Sequence, residues 1–370
     1  MPVNVWGYLK EYEAEREEIL AAVTDVLGSG KLILGPHVAA FEAEFSAYCG
    51  VAQGVGCDNG TNAVMLALLA CGLAPGDEVV TVSNTAVPTV SAIVSAGGVP
   101  RFVDIDPATY LMDTGRLEAA ITPRTRAVVA VHLFGQCVNM EAVREVADRH
   151  KLLVVEDCAQ AHGATRNGQV AGSLSDAAAF SFYPTKILGT YGDGGMVLTG
   201  SDAVAAKLRR LRFYGMEKTY YALEHGYNAR LDEIHAAILR GKLKHLPAYI
   251  ARRQALAARY DAALADTSLT LPATAPGNSH AYYLYVARHP RRDAVLAGLR
   301  ERGVHCNVSY PWPIHTMTGY AHLGYTEGDL PETERAAGEI FSLPLYPSLT
   351  EAEQDTAIAA LRDTLAALGE

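Results

Sequence analysis

Six cysteines in 370 residues, none in a CxxC or other metal-ligand spacing, give this chain neither a disulfide framework nor a zinc site. Cys49, Cys57, Cys71, Cys137, Cys158 and Cys306 read as buried thiols, and no metal site is expected. Positive charge is short as well. Against 41 Asp and Glu stand 31 Lys and Arg, a formal net charge of -10. Binding a nucleic-acid polyanion needs a basic face, so that partner class is set aside, although a short basic patch could still hold a diphosphate. No apolar run approaches the ~20 residues of a membrane span. The opening MPVNVWGYLKEYEAER lacks the basic, apolar and small-residue layout of a secretory signal, and the expected location is the cytoplasm. Tandem repeats and low-complexity tracts are also missing. What is there is 49% hydrophobic and 19% charged, long enough for a large α/β domain and a smaller second one.

Apolar residues recur at helical spacing from Glu11 to Leu27, and GSGKLILGP stops that helix with glycines and a proline. A GVGC strand turns at Asp58-Asn59-Gly60 into the apolar helix TNAVMLALLACGL. Short strands then alternate with helices: EVVTVS, RFVDI, AVVAVHLFG, the helix MEAVREVADRH, LLVVED, AAAFSF and MVLTG. Such alternation predicts a mostly parallel sheet covered on both faces. After Asp202 the pattern turns helical, and YNARLDEIHAAILRGKLKHLPAYIARRQALAARYDAAL supplies two long helices. YYLYVA, RRDAVLAGLRERG, HCNVSY and EAEQDTAIAALRDTLAALG make a small α+β unit. We divide the chain into 1–240, an N-terminal segment with the large α/β domain, and 241–370, the small C-terminal domain.

One stretch carries chemistry. AAAFSFYPTKILGTYGDGG sets Lys186 in a polar turn between an apolar strand and a glycine-rich loop. A lysine at a strand end in a partly dry crevice can lose its proton and add to a carbonyl. LLVVEDCAQAHGA ends another apolar run with Asp157, where open α/β sheets place ligands. Together they suggest pyridoxal phosphate: lysine for the Schiff base, aspartate to keep the pyridine nitrogen protonated. At Gly60, Thr61 and Asn62 a strand turns into a helix, so free N–H groups and the helix dipole favour an anion. The same DNG reads equally as a tight turn capped by Thr61. A dinucleotide fingerprint fits GVGCDNG poorly, because its third glycine comes one position late.

The segments LILGP (32 to 36), DNGTNA (58 to 63), VHLFGQ (131 to 136), EDCAQAHGA (156 to 164), FSFYPTK (180 to 186), GDGG (192 to 195), NARLDE (228 to 233) and YPWPIH (310 to 315) occur in one order. In that order the chain resembles, nearly end to end, the pyridoxal-phosphate-dependent aminotransferases of nucleotide-linked keto sugars. These are a branch of the aspartate-aminotransferase (type I) fold. VWGYLKEYEAER and SNTAVPT look most like the enzymes that aminate C3 of thymidine-diphosphate keto-deoxysugars for antibiotic sugars.

The resemblance implies roles. Lys186 would carry the cofactor, and Asp157 would face the pyridine nitrogen, with Gln160 near the ring's phenolic oxygen. Gly60, Thr61, Asn62 and Ser181 would hold the phosphate, joined by Asn228 from the neighbouring subunit of a homodimer. His162, Tyr183, Tyr214, Arg230, Tyr310 and His315 are the candidate substrate contacts. The residues alone leave other readings open: His162 as a structural histidine, His315 in a packed turn, Asn228 as a helix N-cap. The implied reaction has two halves, glutamate leaving the cofactor as pyridoxamine phosphate and a keto sugar then taking the amine. The alternatives are a 4-keto sugar substrate and a non-catalytic regulatory or ligand-binding protein of the same fold. Sugar dehydratases of a related fold replace the lysine, which Lys186 argues against. One departure stands out: Ala86 occupies the place where many relatives stack an aromatic on the pyridine ring, and alanine makes no π contact.

Overall fold

The computed structural model describes residues 2–370. Its centre is a seven-stranded sheet of β1 (Gln53–Cys57), β2 (Glu78–Val82), β3 (Val99–Val103), β4 (Thr125–Val131), β5 (Leu153–Asp157), β6 (Ala177–Ser181) and β7 (Gly195–Thr199), in spatial order β1-β7-β6-β5-β4-β2-β3. Five of these strands, β3, β2, β4, β5 and β6, run parallel. β7 is antiparallel to both of its neighbours. The strands are apolar nearly throughout because helices cover both faces, as a parallel sheet requires. This is the α/β architecture that the alternation of elements predicts.

α1 (Tyr8–Ser29) and α2 (Pro36–Cys49) precede the sheet, and the next two helices set the site. α3 (Gly60–Ala70) is buried along most of its length and is therefore apolar on every side. α4 (Val87–Ser95) starts after the extended Ala86 with a proline in its first turn. Because β1 leads into α3, and β5 and β6 end beside it, the polar ends of these elements meet at the carboxyl ends of the strands.

A second core gathers Leu256, Tyr260, Tyr285, Val295, Phe341 and Leu361, around the antiparallel pair Tyr285–Arg288 and Ile340–Leu343. Val3 belongs to this core too, and Val3–Asn4 pairs in parallel with Val304–His305. The start of the 1–240 segment thus packs on the C-terminal unit through Val3. The helix expected from Tyr227 onward begins only at Glu233. Among the described residues no helix is long and apolar enough to cross a membrane.

Candidate active site

A cavity of about 320 Å³ opens at the ends of β5 and β6 and is lined by Asp157, Gln160, Ser181, Tyr183 and Lys186 together with Gly60 and Thr61. Asp157 is the last residue of β5, in register with Val131 and Ala179 on either side. Its Oδ2 accepts a hydrogen bond from the Thr89 hydroxyl at 2.7 Å and its Oδ1 one from the Ala159 N–H at 3.1 Å. Gln160 is fixed as firmly. Its carbonyl oxygen accepts from the Phe134 N–H at 2.8 Å, and its amide donates to the Tyr310 hydroxyl at 2.5 Å. Burial pushes that hydroxyl's pKa up, so the phenol stays neutral.

At the other end of the cavity Asn59 caps α3, its side chain accepting from the Asn62 N–H at 2.8 Å. The Asn62 side-chain amide donates to the Asp58 carboxylate at 2.8 and 3.0 Å. Both donors of Asn62 are thereby engaged, and Asn62 does not line the cavity. The expected phosphate contact from Asn62 is corrected on this geometry, and the cap is Asn59 rather than Thr61. Gly60 and Thr61 keep first-turn N–H groups that the helix itself leaves without acceptors. A Cβ on Gly60 would lie 2.6 Å from the Ser181 Cβ, so only glycine lets helix and strand end close into one cradle.

Lys186 follows β6 through a turn closed by its own N–H donating to the Tyr183 carbonyl at 2.9 Å. Its Nζ sits 4.6 Å from the centroid of the Tyr283 ring, within cation–π range. The Tyr283 and Thr185 hydroxyls are 2.9 Å apart, and the Trp6 ring packs near Tyr283, 5.9 Å between centroids. Nothing in the sequence pattern singles out Tyr283. The same holds for Thr85 and Thr89 in SNTAVPT.

Other expected contacts lie elsewhere. His162 is fully buried among the rings of Phe45, Phe180 and Phe182, and neither ring nitrogen finds a hydrogen-bond partner among the described residues. Burial, with the Lys186 charge adding, pushes its pKa down to about 3. His315 is also buried, its Nδ1 2.8 Å from the Ser83 hydroxyl and its Nε2 3.0 Å from Glu334. Glu334 accepts only, so Nε2 is the donor in that contact. Neither histidine lines the cavity of its own chain. The expectation of substrate contact is corrected for both: aromatic packing holds one and loop anchoring holds the other.

Tyr214 is half-exposed, and the Arg230 guanidinium lies over the rings of Phe213 and Tyr214, 5.7 and 6.0 Å from their centroids. Asn228 is exposed and bridges to Phe213, while the cap position of the helix at Glu233–Leu243 belongs to Asp232. Asn228 is therefore not the helix cap. One cluster resembles a metal site, His132, Glu156 and Cys158. Its donors already serve the fold: His132 pairs with Glu156 at 2.9 Å and accepts from the Val138 N–H, and Glu156 accepts from the Gly172 and Leu174 N–H groups.

The DegT/DnrJ/EryC1/StrS aminotransferase family matches residues 13–362. The chain is 58% identical over 374 aligned positions, covering 100% of both chains, to dTDP-3-amino-3,4,6-trideoxy-alpha-D-glucose transaminase of Micromonospora megalomicea subsp. nigra. It superposes with a TM-score of 0.96 and 43% identity on DesV of S. venezuelae, solved with a ketimine intermediate, covering 98% of each chain. Bacillus subtilis NtdA, solved with bound PMP, matches with a TM-score of 0.89 and 33% identity over 95% of this chain and 82% of that one. Its sequence and its fold alike place this chain in the DegT/DnrJ/EryC1/StrS aminotransferase family.

Proposed function

We propose that the protein is a pyridoxal-phosphate-dependent aminotransferase that moves an amino group from glutamate to the C3 ketone of a dTDP-linked keto-deoxyhexose. The observation that carries this reading is the convergence of Lys186, Asp157, Gly60, Thr61 and Ser181 on one cavity, in a chain alike end to end to a dTDP-3-amino sugar transaminase. The residues fit the cofactor. The cradle that a Cβ on Gly60 would fill suits its phosphate, and a carboxylate and a lysine line the same cavity.

When bound, pyridoxal phosphate supplies an electron sink for negative charge at the reacting carbon. Gly60 and Thr61 would offer N–H groups to its phosphate at the positive end of α3, and Ser181 its hydroxyl. Asp157 would keep a proton on the pyridine nitrogen, with Gln160 near the phenolic oxygen. Lys186 would carry the cofactor, and its amine, once displaced by the amino donor, would accept and return the proton at the reacting carbon of glutamate and, in reverse, at C3 of the sugar.

The working unit in this reading is a homodimer with shared sites, in the cytoplasm. The strand pair Met216–Lys218 and Tyr221–Ala222 supports the dimer, because Tyr220 is 94% exposed and Tyr221 and Leu223 are more than half exposed beside Asn228. An apolar surface of this kind is suited to a second copy, with Asn228 reaching the partner's phosphate site. The deciding experiment incubates the pyridoxamine-phosphate form with 3-keto and 4-keto dTDP-hexoses and follows the return of the aldehyde form, with products identified by NMR. Faster turnover of a 4-keto sugar overturns the C3 assignment.

A further inference from the structure

We infer that Thr89 is a positioning residue for Asp157, the end of a directed hydroxyl chain built into the segment Ser83–Thr89. The inference rests on Asp157 as the partner of the pyridine nitrogen. The Thr89 hydroxyl lies 2.7 Å from Asp157 Oδ2 and 2.9 Å from the Thr85 hydroxyl. An ionised carboxylate only accepts, so Thr89 gives its single proton to Oδ2, and its oxygen is then left to accept from Thr85. The chain has one direction, Thr85 to Thr89 to Asp157. With the Ala159 N–H on Oδ1, the carboxylate is gripped at both oxygens while it faces the cavity.

The segment that delivers these hydroxyls is itself pinned at its far end. The Ser83 hydroxyl accepts from the His315 N–H at 3.0 Å and lies 2.8 Å from Nδ1 of the same residue, which Glu334 holds in turn. Thr85 and Thr89 are both buried and, with Ala86 and Pro88 between them, line the same cavity. The stretch that presents a small residue to the ring face therefore also sets the angle of the carboxylate at the ring edge.

The test is Thr89→Val, which keeps the shape and removes the hydroxyl, beside Thr89→Ser, which restores it. Two readouts are used: affinity of the apoprotein for pyridoxal phosphate by fluorescence quenching, and the rate constant of the glutamate half-reaction by stopped-flow absorbance. We expect Thr89→Val to slow the half-reaction on the order of tenfold and weaken cofactor binding by several fold, with KM for glutamate unchanged. Thr89→Ser should return both to within about twofold of the wild type. Thr85→Val, one hydroxyl further away, should move the same readouts in the same direction by less, and it serves if Thr89→Val fails to fold. Wild-type behaviour of Thr89→Val overturns the inference, as does a Thr89→Ser variant no better than Thr89→Val. If Thr89→Val does not fold, an unaffected Thr85→Val overturns it. Failure of the wild-type protein to respond to glutamate would instead strike the aminotransferase reading.

Discussion

At the floor of the cavity the polar side chains have partners in the same chain, whereas Tyr183 at its rim and several aromatic side chains elsewhere face outward. Asp157 and Gln160 are each held by two hydrogen bonds. Tyr183 beside the cavity, and Tyr214, Tyr220, Tyr221 and Trp312 elsewhere on the surface, are exposed. The contrast separates two tasks. Groups that act on a proton must be oriented before the substrate arrives, and a rigid buried network does this. The exposed aromatics keep amphipathic surface available, which in the proposed reading serves a sugar nucleotide or a second subunit.

The sharpest break in that contrast is at the floor. Lys186→Ala should abolish turnover while the protein folds and keeps added cofactor through its phosphate end, because no other lysine in FSFYPTKILGTYGDGG can take over. Steady-state assay and cofactor retention on dialysis check this, and amination at the wild-type rate would refute it. Asp157→Asn keeps the polar contact and removes the charge. The glutamate half-reaction should slow about 10- to 100-fold, with a smaller change in cofactor affinity. Stopped-flow measurement decides it, and an unaltered rate constant removes Asp157 from the reaction.

The rim is tested by complementation. Lys186→Ala and Asn228→Leu, each weak or dead alone, should regain activity when mixed, because one site of each mixed dimer collects both defects and the other none. A statistical mixture should reach about a quarter of wild-type activity. Verified mixed dimers without recovery would return Asn228 to its own chain. The smallest expected effect concerns His162 and stability. Its folded pKa lies near 3, below the ordinary value of 6.5. The unfolded chain therefore takes up the proton first, and stability present above pH 6.5 is lost as pH falls toward 3. His162→Phe should flatten that loss by about 1 kcal/mol per pH unit between pH 6 and 4, read from urea unfolding curves.

The floor was more legible in sequence than the rim. Asp157 ends one short apolar strand and Lys186 follows another, and strand ends in an open sheet are where ligands sit, so the sequence already points to the cavity both line. Gly60 and Thr61 were visible as a strand-to-helix turn. Thr89 was not, since a threonine in SNTAVPT reads as one more β-branched residue until the fold brings Asp157, 68 positions away, within 2.7 Å. His162 misled for a similar reason. Its neighbours in sequence, Gln160 and Asp157, face the cavity, but its own ring turns toward Phe45, Phe180 and Phe182.

Gly60 stands just after β1 and Ser181 at the end of β6, yet they touch only because β7 runs antiparallel between the two strands, pairing Gly195 with both Cys57 and Ser181. Gly195 admits no side chain there, as a Cβ would fall 2.4 Å from the Asn59 carbonyl oxygen. On the ribosome, a nascent chain reaching Ser181 already contains Gly60, Thr61 and Ser181 but has no strand to bring them together. The cradle closes only when Gly195–Thr199 has emerged and completed this long loop.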